Sequence, residues 1–168
     1  YNALGERVDM YDATGETEYT YDGLERITSV TTYRTQLRNG QINKKNSDTV
    51  GYEYDGADNL SAIVYPDGSR VTYAYDKNGN LIKVTDKEGR ETTYTYDALN
   101  RVTEIHRPDQ ISTFITYDAE DQVLELSNVR DWSGRPVSTY SYTYDERGQI
   151  TSEVETTVTE NCARLHPY

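Results

Sequence analysis

Apolar and polar residues alternate along the chain in short runs that are separated by clusters of Gly, Asp and Asn. Val71, Tyr73 and Tyr75 alternate with smaller or polar residues, a period of two that predicts a β-strand with these three side chains on one face. Residues 76–80 are of the types that reverse a chain. A second β-rich run covers residues 81–85. The pattern therefore predicts a β-hairpin.

This hairpin pattern returns every 21 residues: Tyr-Asp pairs begin at Tyr54, Tyr75, Tyr96 and Tyr117, and an aliphatic residue follows each tyrosine after six and after nine positions. Such regular recurrence indicates a tandem repeat. The repeats begin near Tyr1, Tyr21, Tyr54, Tyr75, Tyr96, Tyr117 and Tyr144. The residues that define them are Tyr21, Asp22, Ile27, Tyr54, Asp55, Leu60, Tyr75, Asp76, Gly79, Leu81, Tyr96, Asp97, Val102, Tyr117, Asp118, Val123, Tyr144, Asp145 and Ile150.

The repeats predict an all-β fold, in which tandem hairpins of about 21 residues form one curved antiparallel sheet over residues 1–158. Two strands for each repeat give about thirteen or fourteen strands. The two aliphatic residues of a second strand are three apart, so we expect either a β-bulge or a Leu81 that still belongs to the turn. The first repeat aligns with the others if one extra residue is allowed, and the chain opens within the pattern, as expected for a fragment of a longer polypeptide.

Two insertions interrupt the period. The first, at about residues 35–48, predicts a lengthened, solvated hairpin tip, and its basic residues leave open a contact with an acidic partner. The second, at residues 128–136, carries Trp132. We expect its indole to fold over its own hairpin, with stacking on a sugar or partner surface as the alternative. Residues 159–168 fit no repeat and predict an irregular tail.

Composition changes the expected packing. Only 35% of residues are hydrophobic, and 17 tyrosines replace most of the usual apolar core. Because a tyrosine keeps a hydroxyl that needs water or a partner, this composition suits a sheet with neither face fully dry. The net charge of −12 disfavours nucleic acid and anionic membranes as partners, and no run is long enough to insert into a membrane. The single cysteine, Cys162, does not indicate a redox compartment.

Candidate chemistry is sparse. His106 and His166 have no Cys, His or Glu at zinc-ligand spacing, and no phosphate-binding glycine loop is present, so we predict no metal and no cofactor. A Ser-His-acid arrangement stays open, because the fold alone decides which residues meet. The acidic loops at residues 76–80 and 118–121 fall short of a calcium loop. We expect the aspartate after each repeat tyrosine to accept backbone N–H groups of the turn that it opens.

The recurring motif Tyr-x-Tyr-Asp-x-x-Gly/Asn-Asn/Arg-Leu/Val resembles the YD repeat, also called the RHS repeat, over residues 1–158. Residues 73–81 and 94–102 are similar to consensus copies, whereas Asn2 and Ile115 depart from the pattern. The resemblance implies a segment of a large secreted or surface-displayed bacterial protein. In that family such repeats wind into a hollow shell that encloses a toxin domain. The partners it implies are the neighbouring repeats and the toxin domain, and no catalytic residue is carried over.

Two functions follow from these observations. The first is a non-catalytic wall segment of an encapsulating shell. The second is a surface module that binds carbohydrate through exposed tyrosines and Trp132. An enzyme is disfavoured, since no catalytic motif is present. The outer strands of an open sheet recruit other chains, so we also expect edge-to-edge self-association or a terminal segment folded over an edge.

Overall fold

The computed structural model describes residues 1–36 and 41–158. Their strands lie in chain order in one antiparallel sheet. The strands are β1 (Asp9–Asp12), β2 (Gly15–Tyr21), β3 (Ile27–Gln36), β4 (Gln41–Tyr54), β5 (Leu60–Val64), β6 (Arg70–Tyr75), β7 (Leu81–Thr85), β8 (Glu91–Tyr96), β9 (Val102–His106), β10 (Ile111–Tyr117), β11 (Val123–Arg130), β12 (Arg135–Tyr144) and β13 (Ile150–Thr157). The predicted all-β hairpin fold and strand number are confirmed for these residues.

The chain divides into two compact parts. The first comprises Tyr1–Gly79 and Val84–Gly89, and the second comprises Asn80–Lys83 and Arg90–Tyr168. In both parts, each strand pairs with the next strand of the chain, so every connection is a hairpin. The described residues contain no helix that could traverse a bilayer.

Each repeat has two kinds of turn. The first turn follows the repeat tyrosine and joins the two strands of one repeat, and the second turn leads to the next repeat. Both insertions lengthen the strands on either side of a second turn: β3 and β4 remain paired as far as Gln36 and Gln41, and β11 and β12 as far as Arg130 and Arg135. The tip between β3 and β4 and the predicted tail at 159–168 lie outside the described residues.

A β-bulge explains the spacing of the aliphatic residues. Between β10 and β11, Thr116 pairs with Glu125 and Tyr117 pairs with Val123, so Leu124 is an extra residue. The bulge returns Val123 and the aliphatic three residues later to one face. The same register shift precedes Tyr21, Tyr54, Tyr96 and Tyr144. The bulge interpretation is therefore correct, and Leu81 begins β7 instead of belonging to the turn.

The first turn of the chain corrects one expectation. The amide of Gly5 donates to the Asn2 carbonyl at 3.1 Å, and the amide of Glu6 donates to the Asn2 side chain at 3.0 Å. Glu25 and Arg26 make the same bonds to Asp22 in the next repeat. The first repeat therefore contains no extra residue in this turn. Arg7, and not Val8, lies six residues after the repeat tyrosine, where later repeats have an aliphatic residue. The alignment that placed Val8 there was therefore wrong.

Few side chains are fully buried. Among the described residues Ala62 is the one buried hydrophobic residue, at 1% exposure, and the buried polar residues are Glu16, Ser112, Thr113 and Ser138. Most tyrosines and aliphatic residues of the strands are half-buried. Because a single sheet has no second layer to cover it, the apolar area lies mainly between neighbouring side chains of adjacent strands. This agrees with the expectation that neither face is fully dry.

Candidate functional site

The first turns share one hydrogen-bonding arrangement. The Oδ1 atom of Asp118 accepts the amides of Glu120 and Gln122 at 3.0 and 2.8 Å. The residue four positions after the repeat tyrosine has a positive φ, as in Gly79 at 84° and Asn100 at 61°. Glycine and asparagine tolerate this left-handed backbone, and the aspartate oxygen holds the amides that the reversal leaves without a strand partner. Further aspartates that accept amides of their own first turn are Asp22, Asp55, Asp76, Asp97 and Asp145.

The repeat tyrosines connect one hairpin to the preceding one. The Tyr117 hydroxyl donates to the Val102 carbonyl at 2.8 Å. Val102 pairs with the preceding repeat tyrosine at the bulge, where the strand ladder is interrupted and a carbonyl needs another donor. The same bond joins Tyr21 to Arg7, Tyr54 to Ile27, Tyr96 to Leu81, and Tyr144 to Val123. Each of these tyrosines thus bonds the segment that follows the first turn of the preceding repeat.

Two arginines reinforce this connection. Arg101 Nε donates to Asp97 Oδ2 of its own turn at 2.7 Å, and its Nη1 donates to Asp121 Oδ1 of the next turn at 2.7 Å. Its guanidinium lies 4.6 Å from the ring centroid of Tyr117, a cation–π contact. Arg26 makes the equivalent bonds to Asp22 and Asp58. This link was not predicted from the sequence, although an arginine five positions after one repeat tyrosine and an aspartate four positions after the next are a visible signal for it.

These contacts shift the titration of the turn aspartates. Hydrogen bonds from Arg26 hold the pKa of Asp22 below its ordinary value. For Asp97 the backbone amide of Arg101 is the largest cause of a lowered pKa, and the guanidinium adds to it. Both carboxylates are therefore ionised through the physiological range and act as acceptors, so their arrangement favours a structural role over proton transfer.

An acidic cluster lies on the first hairpin. Asp9, Glu16 and Glu18 place one carboxylate oxygen each within 4.8 Å of one another. Lys44, in the first insertion, donates to Glu16 at 2.9 Å and to Glu18 at 2.6 Å, and its ammonium lies 5.0 Å from the Tyr33 ring centroid. The ammonium holds the pKa of Glu18 below its ordinary value, and the two carboxylates raise the pKa of Lys44. This lysine therefore neutralises carboxylates of its own chain, which leaves the acidic-partner interpretation without support at Lys44.

A second polar cluster joins the turns after β9 and β11. Ser112, 1% exposed, lies within hydrogen-bond distance of His106 Nδ1 at 2.6 Å and donates to Asp131 Oδ1. His106 Nε2 lies 3.3 Å from Glu104. The arrangement contains the residue types of a Ser-His-acid triad, but the serine proton points to Asp131, so His106 Nδ1 must be the donor to the hydroxyl oxygen. In this arrangement His106 does not accept the serine proton, as the histidine of a Ser-His-acid triad does.

Trp132 corrects another expectation. It lies in the turn between β11 and β12 and is 71% exposed, so its indole does not fold back over its own hairpin. Residues on either side of Trp132 in the chain, among them Asp131, line a depression of about 410 Å³ together with His106 and Phe114.

The acidic residues that were considered for calcium binding have other partners. Asp118 accepts turn amides, and Asp121 pairs with Arg101.

Hairpins linked in this regular way define a tandem β-hairpin repeat protein. Residues 75–112 match the sequence model of the RHS Repeat family. Residues 75–112 therefore carry the RHS, or YD, repeat. No curated protein sequence matches it.

Solved structures with the same fold include the TcdB2-TccC3 complex without its hypervariable C-terminal region, with a TM-score of 0.75 and 18% identity over 90% of this chain. The Photorhabdus luminescens Tc holotoxin pore matches over 91% of this chain, with a TM-score of 0.76 and 18% identity. The TcdB2-TccC3 complex itself matches over 91%, with a TM-score of 0.75 and 18% identity. In each case the alignment spans 8% of the other chain, so this chain corresponds to a short segment of those proteins.

Proposed function

We propose that the chain is a non-catalytic structural segment in the wall of a shell that encloses the toxin domain of a large secreted or surface-exposed bacterial protein. The observation that carries this proposal is the chain of tyrosine hydroxyl bonds from one hairpin to the preceding one. It makes the sheet a ribbon that extends by adding repeats, which suits a wall. The similarity to segments of Tc toxin structures supports the proposal through the fold.

The polar side chains that could take part in catalysis also favour a structural role. The Ser112 hydroxyl is buried and bonded to Asp131, and the Glu16 carboxylate is buried against Lys44. In both clusters the polar groups satisfy one another's hydrogen-bonding capacity. Their evident role is to fix one hairpin to its neighbour.

Cryo-electron microscopy of the polypeptide that contains this segment tests the wall proposal. We expect residues 1–158 to lie in the wall of a closed shell, with one sheet face towards an enclosed polypeptide. Protease treatment of the intact particle should leave that polypeptide uncut, whereas denaturation should release it to cleavage. A segment that projects from the particle as a free stalk, or a particle without an enclosed volume, contradicts the proposal.

A carbohydrate-binding surface module is the second candidate function, and the exposed indole of Trp132 favours it. Indole rings stack on the apolar faces of sugars, and Trp132 lies on a turn where a glycan has access. A glycan array with the purified chain tests this candidate. Binding that is lost in Trp132→Ala but kept in Leu99→Ala supports it, because Leu99 is a 65% exposed apolar residue on a different turn. An array without signal contradicts it.

We further propose that β13 associates with another sheet edge. β13 is the last of the described strands, and all of its residues are exposed, including Ile150 at 57% and Val154 at 55%. An exposed strand edge offers backbone groups for pairing. Analytical ultracentrifugation should show dimers that Val154→Lys weakens, and a monomer at all concentrations contradicts the proposal.

A further inference from the structure

The arginine links between hairpins occupy a defined slot. In each of the two links the guanidinium bonds the aspartate of its own turn, stacks on the tyrosine of the next repeat, and reaches an aspartate of the next turn. The distances from guanidinium carbon to ring centroid are 4.4 Å for Arg26 over Tyr54 and 4.6 Å for Arg101 over Tyr117. The slot therefore recognises a guanidinium through a carboxylate on either side and an aromatic face.

The next slot along the chain is incomplete. Gln122 occupies the position of Arg101, and its Nε2 donates to Asp118 Oδ2 at 3.0 Å, as the arginine Nε does in the preceding turn. Its Oε1 atom is buried without a hydrogen-bond partner among the described residues. The position of Asp121 is taken by Gly148, and a Cβ built on Gly148 would lie 3.3 Å from that oxygen. Gln122 thus reproduces the arginine's bond to the aspartate of its own turn but not the bond to an aspartate of the next turn.

A cavity of about 930 Å³ lies at this slot. Its lining contains the components that hold the guanidinium elsewhere, Asp118 from one turn and Tyr144 from the next repeat. Glu120, Asp145 and Glu146 add three further carboxylates, against a single lining guanidinium from Arg147. Among the described residues no cation lies over the Tyr144 ring. The cavity is acidic and aromatic, and the chain itself shows which group such a slot accepts.

We propose that this cavity binds a guanidinium group supplied from outside the chain, such as an arginine side chain of a partner polypeptide. The guanidinium stacks on Tyr144 and bonds the Asp118 and Glu146 carboxylates. A guanidinium fits better than an ammonium, because its planar face stacks on the ring while its edge donates to carboxylates on both sides. The net charge of −12 favours a basic partner over an acidic one.

A comparison with Asn59 shows how the Gln122 slot differs from the slot of an earlier repeat. Asn59 is the equivalent residue of an earlier repeat, and a glycine, Gly79, again stands in the next turn. The Nδ2 atom of Asn59 bonds both carboxylate oxygens of Asp55, at 3.4 and 3.1 Å. A Cβ on Gly79 would meet nothing within 4 Å, whereas one on Gly148 meets the unpartnered oxygen. Of these two slots, the Gln122 slot is therefore the one with an unsatisfied acceptor that faces the missing group.

Nuclear magnetic resonance titration of the full chain tests the proposal, with N-acetyl-argininamide as the probe. We expect saturable shifts of the Tyr144, Glu146 and Gly148 amides at millimolar probe, weakened by salt. N-acetyl-citrullinamide, which has the same shape without the charge, should give no saturable shift. Free arginine distinguishes the source: equal shifts indicate a free amino acid, and stronger shifts with the amide indicate a peptide.

Two reciprocal variants complete the test. Gln122→Arg places the chain's own guanidinium in the slot and should weaken probe binding at least tenfold. Arg101→Gln opens the equivalent slot over Tyr117 and should create a second set of shifts there. Glu146→Gln, a change on an exposed turn, should weaken binding several-fold without affecting the fold. The proposal is wrong if the probe gives no saturable shift, if citrulline matches arginine, or if Gln122→Arg responds like the natural chain.

Discussion

First turns and second turns of the same repeats are held in different ways. A first turn is bonded within itself through its aspartate and also to a neighbouring hairpin through tyrosine and, in two cases, arginine. A regular second turn is bonded locally, as where Asp67 accepts the amide of Ser69 at 2.9 Å. Both insertions of the chain fall in second turns. Both insertions therefore lie in turns that lack the tyrosine bond by which a first turn is joined to a neighbouring hairpin.

The lengthened second turns acquired contacts of their own. Lys44 reaches from β4 across β3 to Glu16 and Glu18 of β2. Asp131 accepts the hydroxyl of Ser112, and its amide donates to the Gln110 carbonyl at 3.0 Å. Each long hairpin therefore bonds to the preceding hairpin near its second turn. Regular repeats have such a bond at their first turns.

Insertion of Gly-Ser tests the comparison most directly. Between Ala119 and Glu120, in a first turn, it should lower the free energy of unfolding by about 3 kcal/mol, because several turn hydrogen bonds contribute about 1 kcal/mol each. Between Pro66 and Asp67, in a second turn, it should cost less than about 1 kcal/mol, the cost of a slightly longer loop. Urea unfolding measures both, and equal losses at the two sites contradict the comparison.

Removal of a repeat tyrosine should have the next largest effect. Tyr117→Ala deletes a half-buried ring and the bond to the Val102 carbonyl, so we expect a loss of about 2 kcal/mol. Tyr117→Phe keeps the ring and should lose about 1 kcal/mol. Tyr11→Phe is the control and should lose less, since this 66% exposed tyrosine bonds Glu16 of its own hairpin. Equal urea midpoints for Tyr117→Phe and the natural chain show that the hydroxyl bond contributes nothing.

Ser112→Ala tests whether the bond between Ser112 and Asp131 stabilises the lengthened second turn between β11 and β12. It leaves His106 and Asp131 without their shared buried partner, and we expect a loss of about 1 to 2 kcal/mol. Hydrogen exchange should increase most at the turn between β11 and β12. Ser127→Ala is the matched change, because its 3.3 Å contact with Thr139 is long and only part-buried. Similar losses for both variants would show that the cluster does not hold the turn.

Acid should produce the smallest effect. The pKa of Asp97 is lower in the folded chain than its ordinary value of 3.8, so its contribution to stability is complete above that value and is lost as the pH falls through the folded pKa. Asp97→Asn should therefore be less stable than the natural chain at neutral pH, and the difference should shrink in acid. Asp109→Asn in a second turn is the control. Urea midpoints of both variants and the natural chain, at neutral pH and in acid, measure the effect. A constant difference across pH contradicts the assignment.

The sequence by itself determined the repeat, the hairpins and the all-β class. These features depend on neighbours in the chain: alternation predicts strands, and Asp with Gly or Asn predicts the reversals. The role of the turn aspartates was also readable, because a carboxylate accepts amides two and four residues later regardless of the rest of the fold. The spacing of Leu81 and Val84 indicated a bulge as one of two local solutions.

Only the tertiary structure decided which hairpins share hydrogen bonds. The bonds from Tyr117 to Val102 and from Arg101 to Asp121 join residues 15 and 20 positions apart, and they exist only because neighbouring repeats lie in register. The exposure of Trp132 and the cluster around Ser112 depended on strand length, which composition does not give. Local residue chemistry selects a turn, whereas contact between turns requires the sheet that places them side by side.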